Sequence, residues 1–460
     1  MSTTISDVDV AVIGGGISGL SAAYELERRG LQTRLLEASG RLGGVIRTER
    51  TDGWVIDAGP DALLTQKPAA VQLCSEIGLR DRLISTKLPR TAYVLRDGQL
   101  RPLAEGSFLG FPVGVGALAK SSLFSWRAKL RMACETLIPA SSYADESITS
   151  FIQRRFGQEA LDYLAEPLLA GIHAGDANRL SMEALFPRLI SAERRTGSVL
   201  RSLRAQKTSP SPAGAFVSLP GGLGELVDTL SNTLRPGTVR LSSRVAALRR
   251  TRLFHIDSLP EPIRAKAVIV CVPAYAAAAM FKELDQPLAA FCDDAPYAST
   301  ATVALGYRRS QVRHPLVGSG FVVPRVEQSP LLASTWVTSK WTGRAPEGHV
   351  LIRGFLGGGR DPDRLNLGDN DLIQLTQDAL TTTLEIEGDP LLTRLSRYPN
   401  QSPQYEVGHL KRVAAIEARL STVPGLFMAG SGFRAIGIPD CIADGRDAAA
   451  RASAFLGARA

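Results

Sequence analysis

Cysteine is scarce in this 460-residue sequence, and the five present, Cys74, Cys134, Cys271, Cys292 and Cys441, are odd in number and widely scattered. None falls in a C-x-x-C pair, which argues against both a disulfide framework and a zinc site. Histidine is equally rare, and neither a Ser-His-Asp set nor a metal-ligand cluster emerges, so no metal and no catalytic acid or base is assigned. The longest apolar stretch, 267–281, is broken by Pro273 and falls short of the ~20 residues that a membrane-spanning helix needs. The first nine residues lack a basic segment followed by an apolar core and a cleavage site, so a reduced, cytoplasmic compartment is expected. Basic residues exceed acidic ones by 53 to 45, but no long basic run exists. The surface should attract anions, and no nucleic-acid partner is expected.

What the chain does have is concentrated at its start. Val8, Val10, Val12 and Ile13 form a β-branched run that stops at Gly14-Gly15-Gly16-Ile17-Ser18-Gly19. Leu20, Ala23 and Leu26 follow at helical spacing, Gly30 can close that helix, and residues 32–36 return as a second strand ending in Glu37. This is the βαβ dinucleotide unit: Gly14 for the turn, Gly16 for approach of a pyrophosphate, Gly19 for helix packing, and a helix N-terminus aimed at the phosphates. Glu37 is placed to accept hydrogen bonds from an adenosine ribose.

After Glu37-Ala38 come Ser39-Gly40-Arg41-Leu42-Gly43-Gly44 and then Trp54-Val55-Ile56-Asp57-Ala58-Gly59-Pro60-Asp61. These segments resemble the amine-oxidase-type flavoproteins, whose corresponding residues continue along FAD. Arg41 can neutralise pyrophosphate charge, and Gly43 and Gly44 let backbone lie against a flat ligand. The resemblance extends to Ser242-Ser243-Arg244-Val245, where Val245 matches the position that meets the adenine. It returns at 425–430 and at Ile436-Gly437-Ile438-Pro439-Asp440-Cys441, where a second helix N-terminus would face the isoalloxazine.

Glu166-Pro167-Leu168-Leu169-Ala170-Gly171-Ile172-His173-Ala174-Gly175-Asp176 resembles the porphyrinogen oxidases more specifically. So do Ser218-Leu219-Pro220-Gly221-Gly222-Leu223, the stretch from Arg344-Ala345-Pro346 to Phe355-Leu356-Gly357-Gly358, and Pro403-Gln404-Tyr405-Glu406-Val407-Gly408-His409. Together they span essentially the whole chain. The resemblance implies non-covalent FAD, a porphyrinogen substrate, oxygen as acceptor, and room for a homodimer and for peripheral membrane contact. It implies Arg90 on a substrate propionate, Gly171 as a surface on which the ring rests, Phe355 stacked on a pyrrole, and Tyr398 near the flavin where Trp is common. His173 stands where Tyr is usual.

The expected fold class is α/β, or α+β overall, with a discontinuous Rossmann-like FAD-binding domain (1–86, 213–290 and 404–460). A mostly helical region (87–212) and a substrate-binding β-sheet domain (291–403) complete it. Phe108, Leu109, Phe111, Leu118, Leu123, Phe124, Trp126 and Leu130, among Lys120, Arg127, Lys129 and Arg131, suggest either helix packing or a membrane-facing patch. Other readings are an amine oxidase or carotenoid desaturase, and a non-catalytic escort protein on the same fold. The intact Arg41-to-Gly44 and C-terminal flavin segments speak against the escort reading.

Overall fold

The computed structural model describes residues 6–104, 115–141, 145–205 and 214–458. The strand Ser6–Ile13 lies at the centre of a seven-stranded sheet, parallel to Thr33–Leu36 on one side and Ile263–Val270 on the other. Val10 and Val12 are fully buried, as a strand covered on both faces requires. Leu426–Met428 also runs parallel to Ile263–Val270, so the sheet gathers chain from the start, the middle and the end of the sequence. The helices Ile17–Arg28 and Ile438–Gly457 cover one face, and two glycines allow close approaches, Gly19 of the first helix to the loop before it and Gly445 of the second helix to the first. A Cβ on Gly19 would stand 1.8 Å from the Gly14 carbonyl oxygen, and one on Gly445 would stand 2.2 Å from that of Ser18. Both helices can therefore start beside the same glycine-rich loop, which is the discontinuous dinucleotide fold expected from the motifs.

A second seven-stranded sheet runs Leu392–Pro403, Tyr297–Arg308, His349–Gly357, Ala333–Trp336, Gly320–Val322, Ala92–Arg96 and Gln99–Pro102. Its last two strands correct the expected boundary at residue 87, because 92–102 belong to this sheet and not to the helical region. The cause is a hairpin: Asp97 and Gly98, at φ 52° and 70°, form a two-residue turn that pairs Arg96 with Gln99.

The helical region has a core of its own. Leu118, Leu123 and Phe124 are buried in it with Phe151 and Phe156, so helix packing claims three of the five described apolar residues named in that segment. Trp126 and Leu130 are 70% and 59% exposed, while Phe108, Leu109 and Phe111 lie outside the described residues. A buried Glu135–Arg155 ion pair ties this core together, with Ser198 Oγ and Val199 N also donating to Glu135. Among the described residues, no helix is long and apolar enough to cross a membrane.

Candidate active site: a cofactor cradle joined to a flat slot

One cavity, about 760 Å³, opens beside the glycine-rich loop. Of the residues expected to bind the cofactor, Gly14, Gly16, Ile17, Ser18, Glu37, Ala38, Arg41, Gly43, Gly44, Pro60, Val245, Tyr398, Ile436, Gly437 and Ile438 line it. Gly14 turns the chain at φ +106°, and a Cβ on Gly16 would meet no atom within 4 Å, so the missing side chain leaves open space. Glu37 accepts from Gly15 N at 2.7 Å and Ser39 N at 2.8 Å, fixing its carboxylate across the loop. Two helix N-termini face the cavity, at Ile17 and Ile438. Anion-binding amides, an acidic residue at the end of the second strand, and a cradle that side chains would fill fit a flavin dinucleotide.

Four expectations are adjusted here. Arg41 lines the cavity, but its guanidinium donates to the carbonyls of Gly44 (2.6 Å), Leu42 (3.1 Å) and Ile46 (3.3 Å), holding the loop that it belongs to. Gly15 and Gly19 support the loop from behind rather than line it. Ala58 accepts from Thr302 Oγ1 at 2.8 Å. Gly59 and Asp61, expected on the cofactor, line a second cavity instead, Asp61 being drawn there by Lys340 and Trp341.

That second cavity, about 520 Å³, is a slot between a sheet floor and a helical roof. Two alternate rungs of the second sheet make the floor: Ala92, Gly320, Thr335 and Arg353, then Val322, Ala333, Phe355 and Thr302. Because successive side chains alternate across a sheet, small residues repeated on one face leave a flat surface. The roof is the helix Glu166–His173, contributing Leu168, Gly171, Ile172 and His173. Gly171 faces the floor closely, since a Cβ there would stand 3.3 Å from Val322 Cγ1 and 3.7 Å from Ala333 Cβ. Gly357 and Gly358 do not line the slot; side chains on them would strike Leu365 and the Ala174 carbonyl at the end of the roof helix. Arg90 is also outside both sets of lining residues. Its Nε donates to Thr86 Oγ1 at 2.9 Å, and Ala92 is the residue of that segment that reaches the slot.

Among the described residues, charge in the slot wall comes from Asp61, Lys340 and Arg353. Lys340 Nζ stands 2.9 and 3.1 Å from the two Asp61 oxygens, Trp341 Nε1 donates to Oδ2 at 3.1 Å, and Arg353 lies 3.6 Å away. Burial pushes the Asp61 carboxyl up, but Lys340 and Arg353 overcome it and hold the group well below the usual carboxylate range. Arg353 also donates to the carbonyls of Asp57 and Gly59, and Phe355 packs over its guanidinium at 4.8 Å. Neither Lys340 nor Arg353 was singled out from sequence; each is an isolated cation in a strand or short helix, and only the fold brings them to Asp61.

The segment 403–409 acts as a clamp on the C-terminal cofactor segment. Tyr405 stacks on His409 at 3.7 Å and donates to Ser431 O at 2.8 Å, and His409 Nε2 is 2.8 Å from Phe433 O. Burial pushes the His409 imidazole down to about 4, and His173 likewise. An unfolded histidine takes its proton near pH ~6.5, whereas native His409 stays neutral until about 4. As pH falls between those values the unfolded state binds more protons, so stability is lost. The urea midpoint is expected to drop from pH 7 to pH 5, with His409 contributing up to about 2 kcal/mol. A His409→Phe variant should show a shallower pH dependence; an unchanged slope would remove this histidine as a cause.

Fold and cavities together define a flavin-dependent oxidoreductase. The family model for flavin-containing amine oxidoreductases matches residues 17–453. The coproporphyrinogen III oxidase of Bacillus subtilis is 35% identical, covering 97% of this chain and 98% of its own. Protoporphyrinogen oxidase 2 of Arabidopsis thaliana is 27% identical over 98% of this chain and 95% of its own. A crystal structure from Exiguobacterium sp. 255-15 superposes with TM-score 0.86 and 29% identity, covering 98% of this chain and 100% of that one. The chain belongs to the flavin-containing amine oxidoreductase family, on its porphyrinogen oxidase branch.

Proposed function

We propose that this chain is an FAD-dependent oxidase that converts coproporphyrinogen III to coproporphyrin III in haem biosynthesis, with dioxygen reduced to hydrogen peroxide. The observation that carries the reading is the junction of the cradle and the slot: Val45, Pro60, Ile172, His173, Tyr398, Gln401 and Ser402 line both. Whatever lies along the cradle therefore presents an edge to the contents of the slot. The flat floor suits a macrocycle, and the name of the B. subtilis relative favours the coproporphyrinogen over the protoporphyrinogen.

When bound, the flavin supplies a two-electron acceptor, used three times because six hydrogens leave the macrocycle. The protein holds the ring flat between the roof helix and the floor, with Phe355 against a pyrrole, and the apolar walls exclude water. Tyr398 Oη, buried at the junction without a hydrogen-bond partner among the described residues, is available to whichever ligand group reaches it. Non-covalent attachment is supported by the two cysteines lining the cradle, Cys271 and Cys441. Burial pushes both thiols up, Cys441 to about 11, so neither is a ready nucleophile. Exposed Trp126 and Leu130, one helical turn apart and flanked by Arg127 and Lys129, support peripheral contact with an acidic membrane surface.

The test supplies purified protein with anaerobically prepared coproporphyrinogen III or protoporphyrinogen IX, admits oxygen, and follows porphyrin fluorescence and oxygen uptake. Coproporphyrin is the preferred product under this reading, with three oxygens consumed for each porphyrin. No porphyrin from either compound above the uncatalysed rate would refute it.

A further inference from the structure

A charged group enclosed in a protein is ordinarily matched by one of opposite sign. The slot breaks that rule, because among the described residues its charged groups are the cations Lys340 and Arg353 and the single carboxylate Asp61. Behind them Arg344 pairs with Asp57 at 3.2 Å, which cancels that pair. Arg353 Nη1 donates to the neutral main-chain carbonyls of Asp57 and Gly59, and its Nε is buried without a hydrogen-bond partner among the described residues. Among the described residues, the wall thus carries one positive charge that nothing offsets. Lys340 can serve an incoming anion, since an ammonium has three N–H donors and, among the described residues, this one donates to the two oxygens of Asp61, with the Phe216 and Trp341 rings 5.9 and 5.1 Å from its Nζ. The site is at the cradle end of the slot: Asp61 follows Pro60, which lines both cavities, and Arg353 bonds Gly59.

We infer that Lys340, held by Asp61 beside Arg353, is the specificity-determining residue that receives a substrate carboxylate at the cradle end of the slot and so selects the tetracarboxylate porphyrinogen. The inference rests on the proposed porphyrinogen oxidase reading. Coproporphyrinogen III carries a propionate on each of its four pyrroles. Whichever pyrrole turns inward, a carboxylate accompanies it and meets the unmatched cation. Protoporphyrinogen IX has vinyl groups in place of two propionates, so it either turns an apolar edge toward Lys340 or gives up orientations to avoid doing so. Arg353 has no comparable freedom, as its guanidinium is fixed against carbonyls and the Phe355 ring.

Lys340→Met tests this in the flavin-loaded enzyme. The kcat/KM for coproporphyrinogen III is expected to fall about 30-fold more than that for protoporphyrinogen IX, mainly through KM, as loss of a charge-assisted hydrogen bond implies. The flavin content and visible spectrum should match the parent protein, and Lys340→Arg should restore most of the preference. As a readout independent of turnover, coproporphyrin III binding, followed by quenching of protein fluorescence, should weaken by a similar factor in Lys340→Met and fall with added salt. Equal losses for both substrates, or unchanged coproporphyrin binding, would overturn the assignment while leaving the oxidase reading intact. Should the parent protein oxidise neither porphyrinogen, the oxidase reading fails and this inference falls with it. If Lys340→Met does not fold, Lys340→Arg and the salt dependence of the parent protein decide the matter: no salt effect on coproporphyrin binding contradicts a carboxylate contact.

Discussion

Gly16→Val is expected to yield a folded protein nearly free of flavin. The position is unusual because a Cβ there meets nothing within 4 Å, and its backbone, at φ −69° and ψ 178°, is one that valine adopts readily. The variant therefore leaves the protein's own packing alone and fills only the cradle. Loss of a small helix-capping residue costs up to ~1 kcal/mol, well short of unfolding. Three added carbons where a pyrophosphate must lie against backbone should weaken flavin binding by about 100-fold, the upper range for overpacking. Flavin absorbance per chain, after purification without added cofactor, reads the effect, with circular dichroism as the folding control. Full flavin content in Gly16→Val would place the pyrophosphate elsewhere.

The second large effect is expected in the slot. Gly171→Leu should retain the flavin and lose porphyrinogen oxidation. A Cβ alone already comes within 3.3 Å of Val322, so the rest of the leucine must either push the roof helix off the floor or lie within the gap that the ring needs. Misplacing a substrate by about 1 Å is enough to cost ~100-fold in rate, and the expected loss in kcat/KM is of that order. Gly171→Ala, which asks its neighbours to give only a few tenths of an ångström, should lose far less. Matching activities for the glycine and leucine forms would mean that the macrocycle does not pass under this helix.

These two glycines also illustrate what could be learned from the chain alone. Gly16 was legible because the dinucleotide unit is local: strand, turn, helix and acidic residue follow one another within about thirty residues, and each has a fixed task. Gly171 was legible only through resemblance. The structure adds a reason that the sequence does not carry, the close approach of this position to Val322 and Ala333. Arg90 shows the opposite case. A lone arginine near a strand has no pattern that says which way it points, and here it turns to Thr86 while Ala92 reaches the slot. The charged set was beyond any sequence argument, since Asp61, Lys340 and Arg353 are brought together across nearly three hundred residues by a sheet whose register only the fold reveals. The hairpin at Asp97-Gly98 was within reach, as an Asp-Gly pair between alternating apolar residues is a strong turn signal.

The most direct test of the account mixes the flavin-loaded protein with coproporphyrinogen III in the absence of oxygen and follows flavin and porphyrin absorbance together in a stopped-flow instrument. The account predicts that the flavin band bleaches within a single turnover, one flavin for each two electrons withdrawn, and that porphyrin accumulates only as oxygen is admitted. A flavin that stays oxidised in the presence of the porphyrinogen, while the protein is folded and fully loaded, would contradict it.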